Sequence, residues 1–443
     1  MASARIGSPA GRGVPKCPRS PLRRCPTARR GTKGRERLDT TVGTRRTELW
    51  RLFAVSFAAD LQLYLIYTAA PFKALKLGAG AFELGLLAAA ATGTYALVVN
   101  LAGRLSDRVP RLLLARTCCV GVILACMGLT LADRVSRLVL CMPILGASMA
   151  LFWPSVQASI ADRSPLADLE SHLGRFNLAW SLGKGSGFLC GGLLLASLGA
   201  PMTFTVASCI VFAVFFILPW PRPRSPALIE ALPARRLANS ESAAASAAGQ
   251  PGAIDPRTAV FRRIAWIANG TAFGLGATLT YHYPSLVAAR GWSPRVFGLF
   301  LGLVYLTQTL AFVFLMRRPD TWRFRRLRLY VPQFLMLVAM LGLPLAGIPR
   351  LLFSALFFGA GLGIAYCSSI YYSLLTHEAR GRNAGVHESL MGVGAMLVPF
   401  LGGLLARSLG SAWMPYATAA AAVLLSLGIQ ELLYRSGRQA PAR

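Results

Sequence analysis

The sequence predicts an all-α membrane protein of twelve transmembrane helices, arranged as two six-helix repeats around a central cavity. Three observations lead there. The first is composition: of 443 residues, 54% are hydrophobic and 14% charged, with a mean hydropathy of +0.51. A soluble chain carries about 25% charged residues. The second is a succession of apolar runs of roughly 18 residues or more, each long enough to cross about 30 Å of hydrocarbon as a helix. The third is an internal repeat. Adding 213 carries Pro71 to Pro284, Gly78 to Gly291, Gly85 to Gly298 and Asp107 to Asp320. Adding 211 carries Gly183 to Gly394, Gly191 to Gly402 and Gly192 to Gly403. Two halves so related face one another across a midplane cavity.

The apolar runs place spans at 50–72, 81–102, 112–132, 137–160, 173–197 and 202–220, then 262–287, 295–316, 329–347, 350–375, 384–406 and 412–434. Residues 49–220 form the first six-helix half and 262–435 the second. Between them lies a Pro-, Ala- and Ser-rich cytoplasmic linker, 221–261. Residues 1–48 read as a disordered basic tail, and 436–443 as a short second tail. The first tail lacks the apolar core of a secretory signal. Attachment to anionic lipid and a transit peptide are the other readings of it.

Charge fixes the orientation. The chain holds 47 Lys and Arg against 17 Asp and Glu, for a net charge of +30. Of the 47 Lys and Arg, 13 lie in the first 48 residues and most others in alternate loops. A groove that tracks phosphates would gather the charge on one face, so nucleic acid is excluded as a partner. Basic loops stay inside. An even number of spans then puts both termini in the cytoplasm, in a plasma (inner) membrane. The expected partners are the lipid bilayer, protons and a small-molecule substrate, with the chain acting as a monomer.

The loop Gly103-Arg104-Leu105-Ser106-Asp107-Arg108-Val109-Pro110-Arg111 joins the second and third spans. A positive-inside turn accounts for the arginines but not for Gly103 or Asp107. The pattern Gly-Arg-Leu-Ser-Asp-Arg-x-x-Arg resembles the signature loop of the major facilitator superfamily. That resemblance covers residues 49–435. It implies a transporter in which Gly103, Arg104, Asp107, Arg108 and Arg111 steady one of two alternating states. Asp107 would face the start of the eleventh span near Asn383, with Arg108 and Arg111 as ionic neighbours. Pro110 stands where the family usually has glycine.

Other motifs point away from enzymatic chemistry. Gly183-Lys184 lacks the Ser or Thr that a phosphate loop needs after its lysine. His377-Glu378 and His387-Glu388 lack the second histidine of a zinc-protease helix. No Gly-x-Ser-x-Gly elbow is present, and no cofactor is implied. The glycines from Gly183 to Gly192 fall on one face of the fifth span, as close helix packing requires. They also echo the Gly-x3-Gly-Pro-x2-Gly-Gly signature of antiporters in the resembled family, with Phe188 in place of proline. The copy in the eleventh span keeps Pro399 but has Val398 for a glycine. The arginine that proton-coupled exporters often carry before Gly146 is Pro143 here.

Charges inside spans are costly and mark function. Asp60 and Lys184 lie ten and eleven residues into their spans, both roughly 15 Å deep, and are expected to pair. Their repeat equivalents are the uncharged Phe273 and Ala395. Glu388, next to His387, lies several residues inside the eleventh span. A carboxyl there can carry protons, or else it sits solvated at the interface. These four residues are the expected proton-coupling set. The resemblance implies that spans one, four, seven and ten line the cavity. The substrate is therefore expected at Tyr64 and Tyr67, Trp153 and Gln157, Asn269, and Tyr366, Ser369 and Tyr372. A headgroup-level aromatic belt is the alternative reading for tyrosines near span ends. A receptor on the same scaffold would need a structured extra domain, which neither the tail nor the linker resembles.

Overall fold

The computed structural model describes residues 30–165, 168–220, 255, 257–375 and 380–439. The chain forms two compact units, 1–47 and 48–443. The described part of the first, 30–47, is helical. Once a helical turn exists each further residue is added cheaply, and Arg and Glu are good helix formers. Residues 1–29 of the expected tail, 221–254 of the expected linker and 440–443 lie outside the described residues.

Twelve α-helices make up the described chain: α1 (Arg30–Lys76), α2 (Ala81–Arg108), α3 (Arg111–Leu131), α4 (Val135–Arg163), α5 (Leu169–Ile217), α6 (Thr258–Tyr281), α7 (Tyr283–Ala289), α8 (Pro294–Arg317), α9 (Arg326–Gly342), α10 (Ile348–Leu374), α11 (Arg380–Leu409) and α12 (Met414–Gln439). Among the described residues, ten helices are long and apolar enough to cross a membrane, so this is a multi-pass membrane protein. α6 has the length, with 24 residues, but Asn269, Thr271, Thr278 and Thr280 lower its hydropathy. α5 has 49 residues and would reach about 74 Å unbroken, more than twice the hydrocarbon thickness. Gly199 breaks it, at φ 78° and ψ 175°. The expected linker ends early, because α6 already begins at Thr258.

Long cationic side chains close several helix ends, where the last carbonyls have no partner within the helix. Lys73 donates from Nζ to the carbonyls of Leu129 (2.7 Å) and Thr130 (2.8 Å) at the end of α3. Arg116 is buried and donates to Leu218 (2.8 Å) and Pro219 (3.0 Å) just past α5. Arg290 serves the carbonyls of Pro344 and Ala346 in the same way.

Between membrane helices the attraction comes from close packing, so small residues stand where backbones meet. Those meetings recur at the repeat offsets. Gly85 lies against Pro399, and Gly298 against Phe188; Gly146 meets Ala91, and Gly359 meets Val304. Gly183 approaches Phe57 as Gly394 approaches Gly270. The turn glycines obey the rule too: Gly78 and Gly291, 213 apart, both take positive φ, 86° and 65°. α2 crosses α11, and the first arm of α5 crosses α8, near the end of the bundle that carries Ala81 and Pro294.

Candidate functional site

At the centre of unit 48–443 lies a cavity of about 180 Å³. Its wall comes from α1, α2, α4, α5, α6, α8, α10 and α11. Ten of its 25 lining residues are aromatic, so it suits a largely apolar body with a few polar contacts. Near the end carrying Ala81, Tyr67 and Tyr281 face each other with ring centroids 5.8 Å apart. Beyond them Phe72 meets Phe297 at 5.4 Å.

Lys184 is placed by the glycines around it. A Cβ on Gly183 would collide with the carbonyl of Phe57, and one on Gly187 would stand 2.6 Å from that of Leu61. Only glycine lets α5 lie this close to α1, which brings Lys184 level with Asp60. Both are buried, at 5% and 4% exposure, and both line the cavity. The expected ion pair is not closed. Each is the other's electrostatic neighbour, yet among the described residues no carboxylate lies within the 4.0 Å of an ion pair from Lys184. Three rings hold the ammonium instead. Nζ lies 4.1 Å from the centroid of Tyr305, 4.7 Å from Tyr64 and 5.4 Å from Phe273. Such contacts are worth about 0.5–2 kcal/mol each, more when desolvated. That offsets part of the cost of burying the charge.

A second acid stands on another wall. Glu388 of α11 lines the cavity and accepts a hydrogen bond from the Tyr95 hydroxyl of α2 at 3.1 Å. Its neighbour His387 turns away from the cavity. His387 is fully buried, with Nδ1 2.7 Å from Ser369 Oγ and 3.4 Å from Asn269 Nδ2. Its ring meets the edge of Tyr366 at 5.2 Å.

Of the residues expected at the site, Asp60, Lys184, Glu388, Tyr64, Tyr67, Trp153, Gln157 and Tyr366 line the cavity. Asn269 and Ser369 do not, since both are spent on His387 between α6, α10 and α11. Tyr372 does not either. Its hydroxyl accepts from the Phe324 amide at 2.7 Å and pins the turn between α8 and α9. In the signature loop, Arg104 is exposed and Arg111 bonds Asp162 Oδ2 (2.6 Å) and the Ala158 carbonyl (2.8 Å) of α4. The side chains of Asp107 and Arg108 lie outside the described residues. Gly103 has room for a Cβ.

A wall of only four spans leaves out Tyr95, Trp180, Tyr305 and Gln308, all of which line the cavity. The repeat offsets are the signal for them. Under 213, Thr92 maps to Tyr305, Tyr95 to Gln308 and Trp153 to Tyr366; under 211, Trp180 maps to Met391, and all of these line the cavity. Asp60 and Lys184 map to Phe273 and Ala395, also on the wall. The wall is therefore two-fold in position, while none of its three charges is repeated.

A helical membrane bundle with an aromatic and charged cavity at its centre is the architecture of a membrane carrier. The chain belongs to the Major Facilitator Superfamily, whose sequence profile matches residues 52–387. No curated protein matches it in sequence. Solved structures share its fold at low identity. A bacterial homolog of the human lysosomal transporter Spinster, inward-facing and occupied, aligns at TM-score 0.64 and 16% identity over 89% of this chain and 98% of that one. The POT family transporter PepTSo aligns at 0.67 and 13%, over 89% and 99%. The nucleoside transporter NupG aligns at 0.63 and 13%, over 87% and 100%.

Proposed function

We propose that the chain is a secondary active transporter that moves a small organic solute by alternating access, with protons running the other way. In this reading it has twelve spans in two six-helix repeats, the two arms of α5 and the α6–α7 pair completing the count. It works as a monomer in the plasma (inner) membrane, with both termini cytoplasmic. Asp60, Lys184, Glu388 and His387 couple the proton, and the rings of the cavity take the solute. The signature loop from Gly103 to Arg111 steadies one state.

One observation carries the reading: buried Asp60 and Lys184 and half-buried Glu388 line a cavity that α2 with α11, and α5 with α8, close by backbone contact at one end. Unpaired charge inside a membrane span is expensive, and it persists where an ion or solute must pass. The paired glycine contacts support rigid halves that rock about a shared centre. His387 enters as a positioning residue, because it touches Tyr366 and adjoins Glu388 without facing the cavity.

Symport or facilitated uptake is the second reading, favoured by the open Asp60–Lys184 pair. A proton on Asp60 and a solute on Lys184 would then travel together. Proteoliposome flux separates the two. Solutes that raise the melting temperature of the purified protein are loaded inside or outside under pH gradients of either sign. Antiport gives solute movement opposite to the proton gradient; movement with it selects symport. No flux of any stabilising solute under either gradient overturns the transport reading.

A further inference from the structure

The cavity carries charge of both signs at separated places. Lys184 is held only by ring faces, and none of its three N–H groups has an oxygen acceptor among the described residues. An ammonium donates strongly and prefers a carboxylate or phosphate oxygen. On the α2 and α11 side, Glu388 accepts a single hydrogen bond, from Tyr95, and an ionised carboxylate has about four acceptor sites. Between the two poles stand Phe273, which touches Lys184, and Tyr366, with ring centroids 6.3 Å apart. Tyr366 is in turn an electrostatic neighbour of Glu388. Phe273 and Tyr366 thus link the surroundings of Lys184 to those of Glu388.

We propose that the substrate is a zwitterion with an aromatic body, its acidic group bound by Lys184 and its amine by Glu388. Asp60 stays the balancing charge of Lys184. The rings of Phe273 and Tyr366 stack on the substrate body, where aromatic contacts add about 0.5–1.5 kcal/mol beyond burial. A solute with one charge leaves one pole without a partner, and a site built for two groups rejects an analogue lacking one of them. Glu388 takes either the amine or a proton, which joins this substrate class to the exchange proposed above.

The proposal rests on the transport reading only for the choice of cavity, and binding is measured without transport. The probes are 4-(aminomethyl)benzoate, its single-charge analogues 4-methylbenzoate and 4-methylbenzylamine, and the more compact zwitterion L-phenylalanine. Each is titrated into purified full-length protein by calorimetry, with thermal unfolding as a second readout. The expected result is at least tenfold tighter binding of 4-(aminomethyl)benzoate than of either analogue. Glu388→Gln should lower affinity for the zwitterion and the amine and leave the benzoate unchanged. Lys184→Gln should do the opposite. Because Lys184→Gln strands Asp60 and can fail to fold, the balanced double variant Asp60→Asn with Lys184→Gln is measured beside it. Equal affinity for a single-charge analogue overturns the proposal, and so does binding of neither zwitterion. Failure of flux with zwitterion binding intact would instead overturn the transport reading.

Discussion

Gly85 lies so close to Pro399 that a Cβ on the glycine would stand 2.6 Å from the proline's carbonyl oxygen. The same distance separates a Cβ on Gly298 from the carbonyl of Phe188, and the two pairs are related by 213 and 211 residues. Both contacts join helices from opposite halves of the sequence, and both involve backbone, which cannot step aside as a side chain can. Gly85→Ala and Gly298→Ala are each expected to cost about 1–3 kcal/mol, read as a lowered melting temperature in detergent. Gly428→Ala is the control. Nothing lies within 4 Å of a Cβ there, and replacing a helical glycine gains up to about 1 kcal/mol. Equal behaviour of all three variants would show that the crossings are looser than these distances imply.

The buried guanidinium of Arg116 predicts a different kind of loss. It bonds the carbonyls of Leu218 and Pro219 and stacks on Trp220, 4.6 Å from the ring centroid. Hydrogen bonds from a charged donor contribute about 1.5–3 kcal/mol, and stranding their acceptors adds to the cost. Arg116→Ala should destabilise the protein by more than 2 kcal/mol, roughly. Arg116→Lys should recover less than half, because an ammonium cannot reproduce the planar fork. Full rescue by lysine would mean that charge alone matters here.

Much of this fold is legible in the amino-acid sequence. Apolar run length locates α2 to α4, α8 to α12 and the end of α1 to within about six residues, because a helix must match the bilayer. α5 covers both expected spans 173–197 and 202–220, and its helix breaks at Gly199, between them. The site is less completely legible. Asp60, Lys184 and Glu388 stand out as charge in apolar surroundings. Tyr305 and Trp180 do not, since an aromatic in a span is as often lipid-facing as cavity-facing. Asn269 and Ser369 share a helix face with cavity residues, yet His387 takes both of them. Nothing local in the sequence announces a hydrogen bond between α6 and α11.

Glu388 offers a test through pH. When one carboxyl takes either a proton or a substrate amine, protonation competes with binding. Affinity for an amine-bearing substrate is then flat at high pH and falls about tenfold per pH unit below the point where Glu388 takes its proton. Glu388→Gln should bind more weakly at high pH and lose that slope. Tyr95→Phe, which removes the one hydrogen bond to the carboxyl among the described residues, should move the pH at which the slope begins while keeping the slope. A wild-type profile in Glu388→Gln would remove the residue from the coupling scheme.

The last prediction uses the unrepeated charges of a two-fold wall. Phe273 stands where the repeat places the counterpart of Asp60, and its ring lies 5.4 Å from the Lys184 ammonium. Asp60→Asn alone leaves a buried ammonium without a balancing charge, and since the pair is open the cost falls below the roughly 3–5 kcal/mol of breaking a closed buried pair. A carboxylate supplied from position 273 would restore the balance from the opposite half. Asp60→Asn with Phe273→Asp should therefore recover most of the melting temperature lost in Asp60→Asn, as should Asp60→Asn with Lys184→Ala. The two rescues differ in flux. If Asp60 only stabilises Lys184, the relocated acid restores proton-driven transport together with stability. If the proton must be taken up from the α1 side, stability returns while flux stays uncoupled from the gradient. The proposed role of Asp60 in coupling requires the second outcome, and proton-driven flux at the wild-type level in the relocated variant would refute it.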